Sequence, residues 1–447
     1  MSVSRLRAWC WRRAFPLLAT AGLLVIGMVS TTWWGADVVH MRAWPLPHDL
    51  WATMVAARRM SRLNLAGLYT QPTGLISFPG AALILVPVVM LIKAAGLSLA
   101  VPGAHNPQPF AWLLAGPYEI VLSAMVLFAA DRVAERLGLN KPKRAVLAAA
   151  QAATVWSASV RWGHPEDAVA MALFLYAVVA LYDGRTWRSA WLAGAAIAVQ
   201  PLVLLALPVV LAVLPGRRVA GFLAQAAIPP TLLVAAAAAA NFSATYSALT
   251  RQPNWPSVDH PTPWTSLAPK LSGGAVAAGP GRLIAIGLAC GCAILVARRW
   301  RSASRVSQWG QDGLLELLWW VALTLALRCF FESVMVAYYL WPALAAALLA
   351  ALTGWVRLIT TGVLAVTLTF VSQDSWPGIW IWWTAMNGGL GLTLLVAMPR
   401  LSWRPRGTTR EDPASVVVPE ARKIGTVGDD HRQDIGQGIG HAQTSEL

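Results

Sequence analysis

Acidic residues stand beside the apolar runs of this chain at six places: Asp37, Asp49, the pair Glu166–Asp167, Asp259, Glu332 and Asp374. A carboxylate next to hydrocarbon is costly unless it is solvated, paired or used. Asp49 closes the run Pro45-Leu46-Pro47-His48 and opens an amphipathic stretch. There a carboxylate can accept a proton from an attacking hydroxyl as a general base, or it can cap the helix that follows. The sequence leaves both open, and Asp37 competes for the first role. Glu166 and Asp167 follow Pro165, where the positive end of a helix dipole would by itself favour acids. Arg328 precedes Glu332 by four residues. That spacing suits a helical ion pair, and a guanidinium there equally suits a phosphate. Arg161, before Trp162-Gly163-His164, poses the same choice. His164 and His260 read as loop histidines, since no HExxH motif or His/Asp cluster accompanies them. The four cysteines, Cys10, Cys290, Cys292 and Cys329, form no CxxC pair and read as buried, inert thiols.

The elements that must position these residues are membrane spans. The 447 residues are 57% apolar and 12% charged, which excludes an ordinary soluble domain and a disordered chain. The net charge of +15 invites a nucleic-acid reading. Its basic residues, however, fall in short clusters between apolar runs, as cytoplasmic loops do. The charge pattern therefore predicts an all-α, polytopic transmembrane helical bundle of about ten to twelve segments, some of them re-entrant. It predicts a plasma-membrane protein with both termini cytoplasmic. A basic segment 1–13 precedes a membrane domain over 14–398 with outer loops at 35–73 and 242–281, and a disordered cytoplasmic tail follows over 399–447.

Three segments depart from simple crossings. Leu50 to Leu68 alternates apolar residues with Arg58, Arg59 and Arg62 and reads as an amphipathic helix on the membrane surface. If 74–96 crossed the bilayer fully, the basic loop Asp131–Arg144 would lie outside. An interfacial or re-entrant segment, broken at Pro79–Gly80 and Pro87, removes that conflict. The run 189–214 has basic residues at both ends and is too short for two crossings. It reads as two half-helices meeting at Gln200–Pro201, or as one kinked span. Later spans are expected at 219–241, 282–298, 313–331, 334–352, 358–372 and 378–398.

The order of several short motifs resembles the GT-C superfamily of membrane glycosyltransferases, most closely its bacterial mannosyltransferase-like branch that uses polyprenyl-phosphate sugars. The run from Asp49 to Ala57, then Leu65-Ala-Gly-Leu-Tyr69 and Phe78-Pro79, is similar to that branch's acid, amphipathic helix, Gly-x-x-Tyr and proline-containing segment. Gly163-His-Pro-Glu-Asp167 resembles its Gly-Gln-x-(Asn/Asp) turn. Ala193-Gly194 through Gln200-Pro201 resembles a short span ending in Lys-Pro, and Tyr338-Tyr339-Leu-Trp-Pro342 a late Tyr-Tyr-x-x-Pro element. The likeness spans roughly 14–345. Gln200 stands where the branch often has lysine, and His164 where it often has glutamine.

The resemblance implies transfer of mannose or another hexose or pentose from a polyprenyl-phosphate donor to a cell-envelope glycolipid or glycan, in contact with membrane lipids and with no nucleic acid. Asp49 would be the general base. Asp37, His48, His164, Glu166, Asp167, Gln200, Tyr338 and Tyr339 would contact donor or acceptor, and Arg328 and Arg161 the phosphate. No cofactor is implied, and a divalent cation is left open. A transporter or lipid-linked-sugar flippase, and a non-catalytic assembly protein with this fold, remain the alternatives. A transporter should carry acids near span midpoints, as only Glu119 and Glu316 do.

Overall fold

The computed structural model describes residues 3–33, 48–70, 75, 77–99, 111–156, 161–302, 310–373, 376 and 378–399. Asp37, Asp374 and the tail after 399 lie outside the described residues, as does the side chain of His48. The chain divides into two units, Met1–Ser402 and Trp403–Leu447, and everything below concerns the first.

The described residues are mostly helical. In chain order the helices are α1 (Val3–Arg12), α2 (Ala14–Trp33), α3 (His48–Met60), α4 (Pro79–Leu83), α5 (Val86–Ala94), α6 (Trp112–Arg136), α7 (Lys141–Val155), α8 (Pro165–Tyr182) and α9 (Thr186–Val199). They continue as α10 (Leu207–Ala212), α11 (Gly216–Ala240), α12 (Phe242–Thr250), α13 (Gly281–Ser302), α14 (Gln311–Phe331), α15 (Trp341–Ala350), α16 (Trp355–Val371) and α17 (Ile381–Ala397). Two short strands, β1 (His260–Pro261) and β2 (Val334–Met335), pair antiparallel. Five helices, α6, α8, α11, α13 and α14, are long and apolar enough to cross a membrane. The bent pair α1–α2 and four shorter apolar segments accompany them.

The core is centred on α8, which packs on α6 and α9, with α11 beyond α9. Its apolar window is 83% buried, against 11% in α11, so α8 is surrounded by protein and α11 is mostly exposed at the edge of the bundle. Alanines at 168, 170, 172 and 177 are fully or nearly fully buried. Small residues of this kind let helix backbones approach where lipid offers no competing hydrophobic drive. A Cβ on Gly194 of α9 would lie 2.4 Å from the Ala226 carbonyl oxygen of α11, which shows how close that approach is.

The break expected at Gln200–Pro201 is present, whereas in 74–96 Pro79 and Pro87 stand in the first turns of helices and the interruption falls between them. The segment 74–96 divides into α4 and α5 around Ile84–Leu85, and the Tyr118 hydroxyl of α6 donates to the Ile84 carbonyl at 2.7 Å. That bond gives the Ile84 carbonyl a partner where the helix is interrupted. In 189–214, α9 stops at Val199 and Gln200 is extended (φ −149°, ψ 117°). Pro201 is the cause, because its ring disfavours helical geometry in the residue before it. A 3-10 turn over Pro201–Leu205 then leads into α10.

Several expectations need correction. The amphipathic helix ends at Met60 rather than continuing to Leu68. Leu63 turns into the left-handed region (φ 58°), and the Arg59 guanidinium folds back onto the carbonyl oxygens of Gly67 and Thr70. The span expected at 334–352 begins as β2 and a 3-10 turn over Ala337–Leu340, leaving only α15 as α-helix. Of the cysteines only Cys329 is buried, and Cys290 is exposed. The basic residues near 131–144 are also not simply free loop charges. Arg13, at the 77° bend between α1 and α2, pairs with Asp131 and Glu135, and Arg144 pairs with Asp131 at 2.7 Å.

Candidate functional site

A cavity of about 750 Å³ opens among the ends of α3, α8, α13 and α14, the break at Gln200 and the segment after α12. Three local features build its acidic end. Asp49 sits in the first turn of α3, and its side chain is 53% exposed toward the cavity. Gly163 adopts φ 74°, a conformation only glycine takes without strain, and this turn presents His164. Pro165 then starts α8, placing Glu166 and Asp167 in its first turn, both buried.

These residues connect. His164 Nε2 lies 3.1 Å from Asp49 Oδ2 and Nδ1 lies 2.8 Å from Glu166 Oε1, so an imidazolium there donates to both carboxylates. Burial opposes that charge, but Glu166 and Asp49 outweigh it and hold the His164 pKa well above the ordinary histidine value. The Tyr338 ring stacks on the imidazole with centroids 4.0 Å apart, fixing its plane. Behind them Glu166 Oε2 and Glu119 Oε1 are buried with no hydrogen-bond partner among the described residues. A second chain runs from Ser77, whose hydroxyl donates to Gln200 Oε1 at 3.2 Å, to Gln200 Nε2, which donates to Asp167 Oδ1 at 2.8 Å. The chain break at Pro201 thus frees Gln200 to bridge α4 and α8.

Two guanidiniums, Arg282 and Arg328, also line the cavity. Arg282 Nε lies 2.9 Å from both oxygens of Glu332, and its Nη1 donates to Gln252 Oε1 at 2.8 Å. Arg328 lies 3.7 Å from Glu332 and stacks over Tyr339 at 3.6 Å. The two guanidiniums thus share Glu332, and Asp167 also lies within electrostatic reach of Arg328. Part of the lining is apolar, with Leu204, Leu205 and Pro208 from the α10 region and Ala285, Ile286 and Ala289 from α13. Leu204 and Ile286 are exposed.

The segment after α12 roofs the cavity with Gln252, Asn254 and Trp255. It is held by β1–β2 pairing, by Thr262 Oγ1 donating to the Glu332 carbonyl at 2.7 Å, and by Trp264 Nε1 donating to the Phe330 carbonyl at 2.8 Å. His260 stacks on Trp382 at 3.7 Å. Asp259 is pushed up to about 6, by burial first and by the charge of Asp49 second. The outer loop expected at 242–281 thus begins as α12, and only the segment between α12 and α13 forms an ordered cover.

The structure brings together Asp49, His164, Glu166, Gln200, Arg328, Tyr338 and Tyr339 around one cavity, with Asp167 directly behind Gln200. Arg161 does not join them: its side chain is exposed and off the cavity wall, because the Trp162–Gly163 turn directs only His164 inward. Asp37 and the His48 side chain lie outside the described residues. Sequence reasoning missed Arg282, Gln252 and Ser77. Arg282 did carry a signal, since a cation in the first turn of a helix opposes the dipole and so needs an acid or an anion nearby. Among the described residues no group of three or more His, Cys, Asp or Glu side chains is placed to hold a metal ion. Comparison of the chain with family models gives no match, and comparison with curated proteins gives none.

Proposed function

We propose that this protein is an integral membrane glycosyltransferase of the GT-C type. In this reading it moves a sugar from a polyprenyl-phosphate donor to a hydroxyl of a cell-envelope acceptor on the extracytoplasmic face. The observation that carries the reading is the make-up of this one cavity: a half-exposed carboxylate, Asp49, two guanidiniums, Arg282 and Arg328, and an apolar lining from the α10 region and α13.

The donor lipid lies along the apolar lining of α10 and α13, and its phosphate meets Arg328 and Arg282. The acceptor hydroxyl approaches beside Asp49. The hydroxyl oxygen bonds to the anomeric carbon as the bond from that carbon to the phosphate oxygen breaks. The hydroxyl proton passes to Asp49, the lipid phosphate leaves with the electron pair, and the anomeric centre inverts. The cation at His164 keeps Asp49 ionised and turned toward the acceptor, while the guanidiniums stabilise the charge developing on the phosphate.

Membranes carrying the wild-type chain or Asp49→Asn, incubated with radiolabelled polyprenyl-phosphate mannose and an envelope lipid extract, test the reading. Transfer should fall by about 10²–10⁴-fold in the variant, the usual contribution of a general base. Undiminished transfer would remove Asp49 from the mechanism. No transfer by the wild type from any polyprenyl-phosphate sugar would favour a transporter or a non-catalytic assembly protein.

A further inference from the structure

The C-terminal end of α3 carries a second concave site, separate from the cavity. Arg58 lies nine residues beyond Asp49 on the same helix, about 14 Å away at the α-helical rise. A pocket of about 340 Å³ is lined there by Val55, Arg58, Arg59, Arg62 and Asn64. The bland account of such arginines is compensation of the helix dipole at its negative end. It suffices for Arg59, which donates to the carbonyl oxygen and hydroxyl of Thr70 as well as to Gly67. It does not suffice for the other two. Arg58 and Arg62 are exposed, four residues apart on one side of the turn. Neither has an ion pair or side-chain hydrogen bond among the described residues. Asn64 Oδ1 accepts the Gly67 N–H at 3.1 Å, which leaves its NH2 to donate.

Leu63 supplies a second, independent observation. It is 86% exposed, the highest value of any large apolar side chain among the described residues. It also sits at φ 58°, a region a leucine enters only at a cost of about 1 kcal/mol or more. The turn itself is accounted for within the chain, because it closes α3: the Leu63 N–H donates to the Met60 carbonyl at 2.9 Å and the Asn64 N–H to the Arg59 carbonyl at 3.0 Å. The leucine at its exposed tip has no such account, and beside two guanidiniums with no ion pair among the described residues it has one outside the chain. The leucine inserts at the boundary of acyl chains and headgroups, and the guanidiniums take the phosphates at that same depth.

We infer that Arg58, Arg62, Leu63 and Asn64 form a binding site for the phosphate headgroup of an anionic phospholipid, which anchors the end of α3 to the membrane surface. The helix whose first turn carries Asp49 is then held at both ends: by His164 at the cavity and by lipid at the far turn. Charge complementarity selects an anionic lipid over a zwitterionic one, and Leu63 selects a lipid over free phosphate.

The test uses the purified full chain in detergent with an equimolar mixture of phosphatidylglycerol and phosphatidylcholine, and reads lipid adducts by native mass spectrometry. The wild type should favour phosphatidylglycerol. Arg58→Gln/Arg62→Gln should lower the ratio by up to roughly thirty-fold, about five-fold for each arginine at an anionic surface. Arg58→Lys/Arg62→Lys should keep most of the preference. Leu63→Ser should reduce occupancy by both lipids with little change in their ratio. Should the double glutamine variant fold poorly, Arg62→Gln alone, in the turn beyond the helix, should still show its single five-fold loss. An unchanged ratio in the glutamine variants overturns the proposal. Displacement of phosphatidylglycerol by inorganic phosphate but not by chloride at equal ionic strength, with Leu63→Ser silent, overturns the lipid assignment in favour of a free anion. The measurement needs no sugar donor, so its outcome is independent of the glycosyl-transfer reading.

Discussion

Gly80→Ala tests how the cavity is positioned without touching its chemistry. Gly80 begins α4 where that helix crosses the end of α9. A Cβ there would lie 2.2 Å from the Ala198 carbonyl oxygen, 2.6 Å from its carbon and 2.9 Å from the Val199 Cα. Ordinary non-bonded contact needs about 3.5 Å, so the two backbones must part by roughly 1 Å. Both sides of the contact are main chain, so no side-chain rotation relieves it. The cost should reach the upper part of the ~1–3 kcal/mol typical of overpacking. Ser77, three residues before Gly80, holds Gln200 at 3.2 Å, a bond with no length to spare. An opening of this size breaks it and leaves Gln200 on Asp167 alone. Thermal unfolding of the detergent-solubilised chain reads the cost directly. Gly221→Ala in α11 and Gly291→Ala in α13 are the controls. Neither glycine has another atom within 4 Å of a built Cβ, so each control should be neutral or gain about 0.5–1 kcal/mol from helix propensity. In the transfer assay a displacement of about 1 Å should cost on the order of 10²-fold. If Gly80→Ala melts with its controls and transfers at the wild-type rate, the α4–α9 contact does not position the site.

Two pH-dependent predictions follow from the same geometry. His164 has a folded pKa well above its unfolded value of about 6.5. Its contribution to stability is therefore full below about 6.5 and lost as pH rises through the folded pKa. Melting curves from pH 6 to pH 10 should show the wild type losing stability on the alkaline side, while His164→Gln stays comparatively flat; parallel curves would refute the bridging role. Asp259 is a carboxyl raised to about 6 from about 3.9 in the unfolded chain. Its protonated form is the one folding favours, an advantage lost as pH rises from about 4 through about 6. Asp259→Asn should therefore melt higher than the wild type at pH 7.5 and equally at pH 4. A variant less stable at pH 7.5 would show that the ionised carboxylate has a partner under the cover.

Much of the site was legible one residue at a time. Asp49, Glu166, Asp167 and Arg328 drew attention because charge beside an apolar run needs a reason, and each has one in the structure. Gln200 drew attention because Pro201 had to end a helix there, and the residue before such a proline turns its side chain away from the helical track. Arg282 escaped notice because it looks like the polar edge of a span, and only its packing against Glu332 gives it a role. Arg161 shows the converse error. It has the right residue type beside the right motif, but a single glycine turn separates a side chain that faces the cavity from one that faces solvent.

The sequence by itself determined the local features. Long apolar runs without charge must form hydrogen-bonded helices in hydrocarbon, Pro79 and Pro87 suit the first turns of helices, Pro201 disfavours helix at the residue before it, and a glycine before His164 allows the turn. What only the tertiary structure decided is which of these meet. Asp49, His164, Gln200, Arg282 and Arg328 are brought to one cavity from elements far apart in the chain. The register of that meeting is set by backbone contacts at Gly80, Gly194 and Gly281, where a Cβ would fall within 2.4 Å of a neighbouring carbonyl oxygen. Apolar periodicity cannot encode such choices, because alanine- and leucine-rich helices offer many nearly equivalent faces. The choice is made by the few glycines that permit contact and by the buried charges that must find partners.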